Sequence, residues 1–256
     1  ERGEVRDEAS PRLARLRRLT DLALGGVDVD DPAFAALGRV ARRHRIPQRY
    51  PRELLDGFAM DVDGRAIVEL DDCLEYSYHV AGVVGLMMAH VMGVRDAATL
   101  DRATDLGIAF QLTNIARDVI DDAGIGRVYL PQRWLEAADV PTGEVGAERH
   151  REKVFAVVSR LLDEADRYYA SAVWGLGALG VRRAWATATA AAVYREIGET
   201  LRRRGPGAWD RRIVVGRGRK LVLALWALPR ALLANLPGAR RPPRRRALWR
   251  RPSRAA

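Results

Sequence analysis

Apolar residues recur at intervals of three and four along nearly the whole chain, and no run alternates convincingly with period two. That pattern builds the single stripe of an amphipathic helix, not the two faces of a strand, so it confines the chain to an all-α fold. The punctuation agrees. Pro11–Leu24 reads as a helix closed by Gly25-Gly26, and Asp31-Pro32 opens the next with Pro in the first turn. Pro51–Met60 is a short helix, and Asp63-Gly64 a turn. Asp71–Met92 reads as one long apolar helix stopped at Gly93. Asp96 caps a helix that runs through Asp122. Helices then follow over Pro131–Ala138, Val145–Tyr169 and Arg182–Arg204, and over Lys220–Leu236 with an interruption at Pro229. Long helices with short connections imply a single helical bundle over residues 1–236. Beyond it, residues 237–256 are mostly proline and arginine and are expected to lack a packed core.

Charge sharpens the division. From Leu201 onward there are seventeen Arg and Lys against one acid, Asp210, which leaves residues 1–200 with 26 basic and 32 acidic residues. A mildly acidic body with a basic C-terminal quarter points to an anionic surface or ligand at that end. At 256 residues, 48% hydrophobic and 30% charged, the chain falls in the globular class and outside the disordered and collagen-like ones. Cys73 is the only cysteine, so no intrachain disulfide forms and a reducing compartment is expected. No apolar run reaches membrane-spanning length, and the N-terminus lacks a signal-type apolar stretch.

Chemistry concentrates in two segments. In Asp105–Asp122, Gln111, Asn114, Asp118 and Asp122 are spaced 3, 4 and 4 apart. On a helix they make one polar stripe about 16 Å long, flanked by Ile108, Phe110, Leu112, Ile115 and Val119. Two carboxylates four residues apart repel, and among apolar neighbours the repulsion grows unless a cation sits between them. Oxygen donors of this kind suit hard Mg²⁺ shared with a substrate phosphate. A solvated acidic helix end explains a lone Asp-x-x-x-Asp better than it explains a stripe that Gln and Asn extend. The second segment runs from Tyr76 to Met88, where Tyr76, Val80, Val83 and Met87 would share one helical face. Gly82 and Gly85 inside it call for something close-packed, either a neighbouring helix or a ligand chain. On this segment alone ordinary bundle packing is the stronger explanation. His79 and Cys73 have no partner at metal-ligand spacing, and no phosphate loop, nucleophile elbow or dinucleotide fingerprint occurs.

The run from Asp105 to Pro131, ending Gly126-Arg127-Val128-Tyr129-Leu130-Pro131, resembles the second Asp-rich signature of the squalene and phytoene synthase family. Tyr76–Gly85 resembles the family's other signature, with Ser77 where bacterial members often carry Cys. Phe58-Ala59-Met60-Asp61-Val62, Met92-Gly93-Val94-Arg95-Asp96, Ala192–Gly198 and Leu248-Trp249 are similar to the family's bacterial phytoene synthase branch. The resemblance covers most of the chain. It implies an isoprenoid-synthase helical bundle around a central cavity, in which two geranylgeranyl diphosphates condense head to head through prephytoene diphosphate to phytoene. It implies Asp118 and Asp122 as holders of Mg²⁺, or Mn²⁺, on a diphosphate, with Gln111 and Asn114 beside them and Arg117 near the diphosphate. Tyr76 and Tyr194 match tyrosines near the reacting carbons, while Val80, Gly82 and Val83 would line the substrate's path.

Glu4, Asp7 and Glu8 lie in a charged segment without apolar flanks and do not match the family's first Asp-rich motif. The resemblance therefore implies a chain that begins just downstream of that motif, lacking N-terminal helices of the domain, and it leaves open an inactive fragment or partner subunit. A squalene or dehydrosqualene synthase using farnesyl diphosphate is the nearest alternative activity. No NADPH is expected. Nucleic acid is not expected either, because no reader element accompanies Arg240, Arg241, Arg244, Arg245, Arg246, Arg250, Arg251 and Arg254. A long-chain substrate and a hydrocarbon product imply a cytoplasmic enzyme peripheral to the inner face of the membrane. Leu221–Leu236 and the arginines after it would meet anionic lipid, with Trp249 at the interface.

Overall fold

Ten α-helices account for most of the described residues: α1 (Arg2–Leu24), α2 (Pro32–His44), α3 (Arg49–Val62), α4 (Leu70–Ser77), α5 (Val83–Val91), α6 (Ala97–Gly124), α7 (Gln132–Ala137), α8 (Arg151–Ala172), α9 (Val181–Arg204) and α10 (Arg217–Ala234). The computed structural model describes residues 2–236, 238, 243, 245 and 248–251, with the backbone alone for residues 2–8. Among the described residues there is no strand. The all-α architecture follows from the caps as well as the periodicity. Asp31 accepts the Ala33 amide at 3.0 Å, and Asp96 accepts that of Thr99 at 2.8 Å, so each opens its helix as the sequence predicts.

Helix α6 is the axis of the bundle. Its buried face, with Ile108, Ala109, Leu112, Ile115, Ala116 and Val119, packs mainly on α8, while α5 and α9 also lie against it. At 28 residues it is about 42 Å long. Its approach to α5 is close enough to exclude side chains. A Cβ on Gly85 would stand 2.4 Å from the Ala103 carbonyl oxygen, and one on Gly107 would stand 2.4 Å from that of Ala81. A neighbouring helix, not a ligand chain, therefore accounts for the glycine at 85.

Four expectations are corrected. The helix predicted over Asp71–Met92 is broken by a π-helical turn at Tyr78–Gly82. Its residues are held from outside: the Tyr78 hydroxyl donates to Glu53 at 2.6 Å, and His79 Nδ1 bonds the Glu53 carbonyl at 2.8 Å. The helix predicted from Val145 begins at Arg151 instead, after two short 3₁₀ turns at Thr142–Glu144 and Glu148–His150. Pro229 does not interrupt its helix but rides inside α10. Next to the carbonyl that Pro229 leaves without a helical donor, the Trp185 indole supplies one, to Ala224, at 2.7 Å.

The fourth correction concerns the tail. Described residues within 237–256 dock on the bundle and share its core. Arg245 Nε and Nη2 reach Asp105 at 2.9 and 2.5 Å, and the Trp249 amide donates to the Tyr168 hydroxyl at 3.1 Å. The Trp249 ring lies 5.2 Å from that of Tyr78, and Arg251 pairs with Asp101 at 2.7 Å. The reason is electrostatic. Asp105 is fully buried on α6, and such a carboxylate needs a cation delivered to it. Arg240, Arg241, Arg244, Arg246 and Arg254 lie outside the described residues.

Candidate active site

A cavity of about 450 Å³ runs along α6. One wall is Val80, Ala81, Val84, Gly85 and Met88, from the π-turn and α5. The opposite wall is Ala186, Thr187, Ala190 and Tyr194 of α9, with Gly175 and Leu176. Ala103, Leu106, Gly107 and Phe110 form the floor, Gln111 and Asn114 continue it towards the helix C-terminus, and Thr99 and Arg102 stand at the other end. The lining is largely apolar, with Thr187 in the α9 wall and polar side chains at its two ends.

The π-turn decides which residues of the Tyr76 segment reach this space. Straight α-helical spacing puts Val80, Val83 and Met87 on the face of Tyr76. A π-turn adds one residue to a turn and rotates everything after it. Val80 accordingly lines the cavity, but beyond the turn the lining positions are Val84 and Met88. Val83 is fully buried away from the cavity, and Gly82 packs on Tyr78 and Thr104. Gly82 and Val83, which the sequence places on the substrate's path, do not line this cavity; Ala81 and Val84 beside them do.

The polar stripe forms as its spacing requires, on one face of α6. Asn114 Nδ2 reaches Gln111 Oε1 at 3.4 Å, while its own Oδ1 is buried without a hydrogen-bond partner. Arg117 holds Asp118 with two parallel bonds of 2.7 and 2.5 Å. Asp122 has no such partner among the described residues. Burial first, and the charge of Asp118 second, push its carboxyl up to about 6. Arg127 opposes that shift, and Asp61 adds to it. The donor set fits a divalent cation. Two carboxylates one turn apart and an orphaned amide oxygen share a stripe, and one of the carboxylates is destabilised as an anion. Among the described residues no three His, Cys, Asp or Glu side chains converge on one ion. The protein thus offers the one or two carboxylates that Mg²⁺ takes when diphosphate and water complete its shell.

Tyrosines flank this end. Tyr76 stacks on Tyr129 with ring centroids 4.7 Å apart and 19° between planes. Both hydroxyls donate to the same carboxylate, Tyr76 to Asp61 Oδ2 at 3.2 Å and Tyr129 to Oδ1 at 2.7 Å. Burial pushes the Tyr129 phenol up to about 12 and moves Tyr76 in the same direction, so both keep their protons at neutral pH. Tyr194 stacks on Phe110 at 4.2 Å and 20°. Asp61, Arg127 and Tyr129 stand in runs whose resemblance is visible in the sequence, but spacing gives no signal that joins them. Asp61 is 15 residues before Tyr76 and 68 before Tyr129. At the far end Arg102 donates to Ser171 Oγ at 2.5 Å and to the Pro243 carbonyl at 2.6 Å, so the docked tail meets a residue of the cavity wall.

Comparison with known proteins agrees with this geometry. The squalene/phytoene synthase family model matches residues 2–248. A phytoene synthase from Pseudescherichia vulneris is 51% identical over 96% of the chain and 79% of its own length. A 15-cis-phytoene synthase from Pantoea ananas is 49% identical over 94% of the chain and 77% of its own length. The crystal structure of a dehydrosqualene synthase in complex with ligand superposes with a TM-score of 0.78 at 29% identity, covering 87% of the chain and 78% of that structure.

Proposed function

The chain belongs to the squalene/phytoene synthase family, and from that premise we propose that it joins two geranylgeranyl diphosphates head to head, through prephytoene diphosphate, to give the carotenoid precursor phytoene. The observation that carries the reading is the largely apolar cavity on α6, which reaches Asn114, one helical turn before Asp118 on the same face of the helix. From Thr99 to Asn114 the floor spans about 22 Å of helix, room for a long prenyl chain. Relatives near 50% identity carry the phytoene synthase name, and this favours geranylgeranyl over farnesyl diphosphate.

An enzyme that uses prenyl diphosphates in this way calls for a divalent metal. We assign Mg²⁺, with Mn²⁺ as a substitute, to Asp118 and Asp122. Bound there it would neutralise the charge that develops on the departing diphosphate. The chain's own residues do the rest. Arg117, whose guanidinium lies against Asp118 beside the proposed cation site, would donate to diphosphate oxygens. The walls formed by Val80, Val84, Met88 and Ala190 keep water from the allylic cation and offer it no base. The ring faces of Tyr76 and Tyr194 stabilise positive charge. Gln111 and Asn114 orient the head of the substrate. The test is product analysis of the purified protein with Mg²⁺ and either diphosphate, with and without NADPH. Phytoene from geranylgeranyl diphosphate without NADPH is the expected result. A hydrocarbon formed only from farnesyl diphosphate would overturn the assignment.

We further propose attachment to the cytoplasmic surface of an anionic membrane. No helix among the described residues is long and apolar enough to cross one. The support is α10, which exposes Leu221, Leu225, Leu232 and Leu233 and leaves Trp226 75% exposed. Lys220 and Arg230 lie on the same helix. Trp249, packed on Tyr78, and Arg245 and Arg251, paired with acids, are not part of that surface. Flotation with anionic and neutral vesicles tests it: binding to anionic vesicles that weakens with salt is expected. Equal binding to both, or none, overturns it.

A further inference from the structure

Asp61 sits on α3, outside the α6 stripe, yet it joins two elements of the active end. Its two oxygens accept one hydroxyl each, from Tyr76 of α4 and from Tyr129 in the connection between α6 and α7. The two rings are stacked, so neither can swing without dragging the other. Arg127 lies 3.5 Å from the Tyr129 hydroxyl and closes the far side. Three segments of chain are thus locked through one carboxylate. We propose that Asp61 is the positioning residue for the Tyr76–Tyr129 pair, fixing both phenols as donors to itself so that their ring faces are presented to the cationic intermediates of the reaction.

Two physical consequences follow. A phenol has one proton. With both protons committed to Asp61, neither hydroxyl is free to donate to the diphosphate. A phenol bonded to a carboxylate also has a more electron-rich ring than one bonded to water, which deepens the cation-stabilising face. Asp61 therefore acts through the tyrosines and not as a further cation ligand, in keeping with the absence, among the described residues, of a three-acid cluster. Simple packing would require only that the rings stack. It would not require both hydroxyls to converge on one carboxylate.

The inference rests on the proposed condensation and is tested by a cycle of Asp61→Asn, Tyr76→Phe and Tyr129→Phe, singly and combined, in the full chain. Turnover and KM are measured separately with geranylgeranyl diphosphate and Mg²⁺, and released prephytoene diphosphate is measured against phytoene. Asp61→Asn is expected to lower kcat at least tenfold, to leave KM within about twofold, and to raise the released intermediate. In the Tyr76→Phe/Tyr129→Phe background the same change is expected to cost less than twofold, because its targets are gone. An undiminished effect in that background, or an effect confined to KM or to the Mg²⁺ requirement, would overturn the proposal in favour of a direct ligand role. Tyr129→Phe keeps ring and carboxylate, so it remains informative if Asp61→Asn folds poorly; unchanged products there would also count against the proposal. Tyrosine Raman signatures of strong hydroxyl donation, present in the wild type and reduced in Asp61→Asn, check the coupling without turnover. Wild-type protein that makes no phytoene would sink the proposed condensation. The Raman comparison would still decide the positioning.

Discussion

Helix α6 carries aspartates at two places that share a backbone and differ in everything around it. Asp105 is fully buried, yet it is the acceptor for Arg245 at 2.5–3.0 Å and for the Ser171 hydroxyl, with Arg102 behind Ser171. Asp118 and Asp122, about four and five turns onward, are only partly buried, and between them they have one close cation, Arg117. The deeper carboxylate is the better satisfied, and the shallower pair is left repelling itself. Burial depth is thus a poor guide to function in this helix. A charge that the fold has answered holds the structure together, whereas charges it leaves unanswered wait for a ligand.

The largest expected effect breaks the answered side. Asp105→Asn removes the partner of Arg245 and leaves a half-buried guanidinium uncompensated, at a cost of about 3–5 kcal/mol of stability. Urea unfolding measures it, and limited proteolysis should show the C-terminal segment released. A loss below 1 kcal/mol would mean that the pair merely accompanies the docking.

Next comes the unanswered side. Asp118→Asn and Asp122→Asn should each cost about 3–4 kcal/mol of transition-state stabilisation, some 10²–10³-fold in turnover, on the scale of losing one preorganised charge partner. Stability should hardly fall. Asp121, off the stripe, should be milder. Near-normal turnover in Asp118→Asn with Mg²⁺ would remove the metal role.

A third expectation uses pH to separate the two classes. The Asp122 carboxyl titrates at about 6 in the folded, metal-free chain against 3.8 unfolded. Between those values the native state holds the extra proton, so stability falls as pH rises through the window and stays low above it. Replacing the side chain with Asn removes that loss. Metal-free Asp122→Asn should match the wild type near pH 3.5 and exceed it above pH 6 by roughly 1–2 kcal/mol, after allowing for solvent screening. Saturating Mg²⁺ should erase the advantage. Thermal melts across pH settle the sign, and an advantage that grows on acidification would refute it.

The answered and unanswered charges were unequally legible. The stripe Gln111–Asn114–Asp118–Asp122 can be read from sequence because its spacing is local and helical. The caps at Asp31 and Asp96 are legible for the same reason. The bridge from Asp105 to Arg245 spans 140 residues, and a Pro/Arg tail carries no apolar pattern that announces docking. The π-turn is equally invisible, because Glu53 and its neighbours on α3 hold it, and it shifts the lining from Val83 to Val84. Asp61 is visible as a letter in a familiar run, but its service to two tyrosines exists only in three dimensions.

The smallest effect carries the same comparison to the surface. Arg219 and Lys220 are adjacent at the start of α10, with equal charge and similar exposure. Arg219 lies 2.8 Å from Glu196, whereas no ion pair within 4 Å joins Lys220 to an acid among the described residues. If α10 meets anionic lipid, an unpaired cation there contributes about 1 kcal/mol, near a fivefold change in partition. Arg219 must loosen its contact with Glu196, which Arg203 also holds, before it meets a lipid phosphate, so its net contribution to binding is smaller. Lys220→Ala should therefore weaken binding to anionic vesicles about fivefold and Arg219→Ala less than twofold, with neither change seen on neutral vesicles. Equal losses would show that pairing on this face is too loose to matter, as exposed ion pairs often are, and would confine the contrast drawn from α6 to charges that the fold buries.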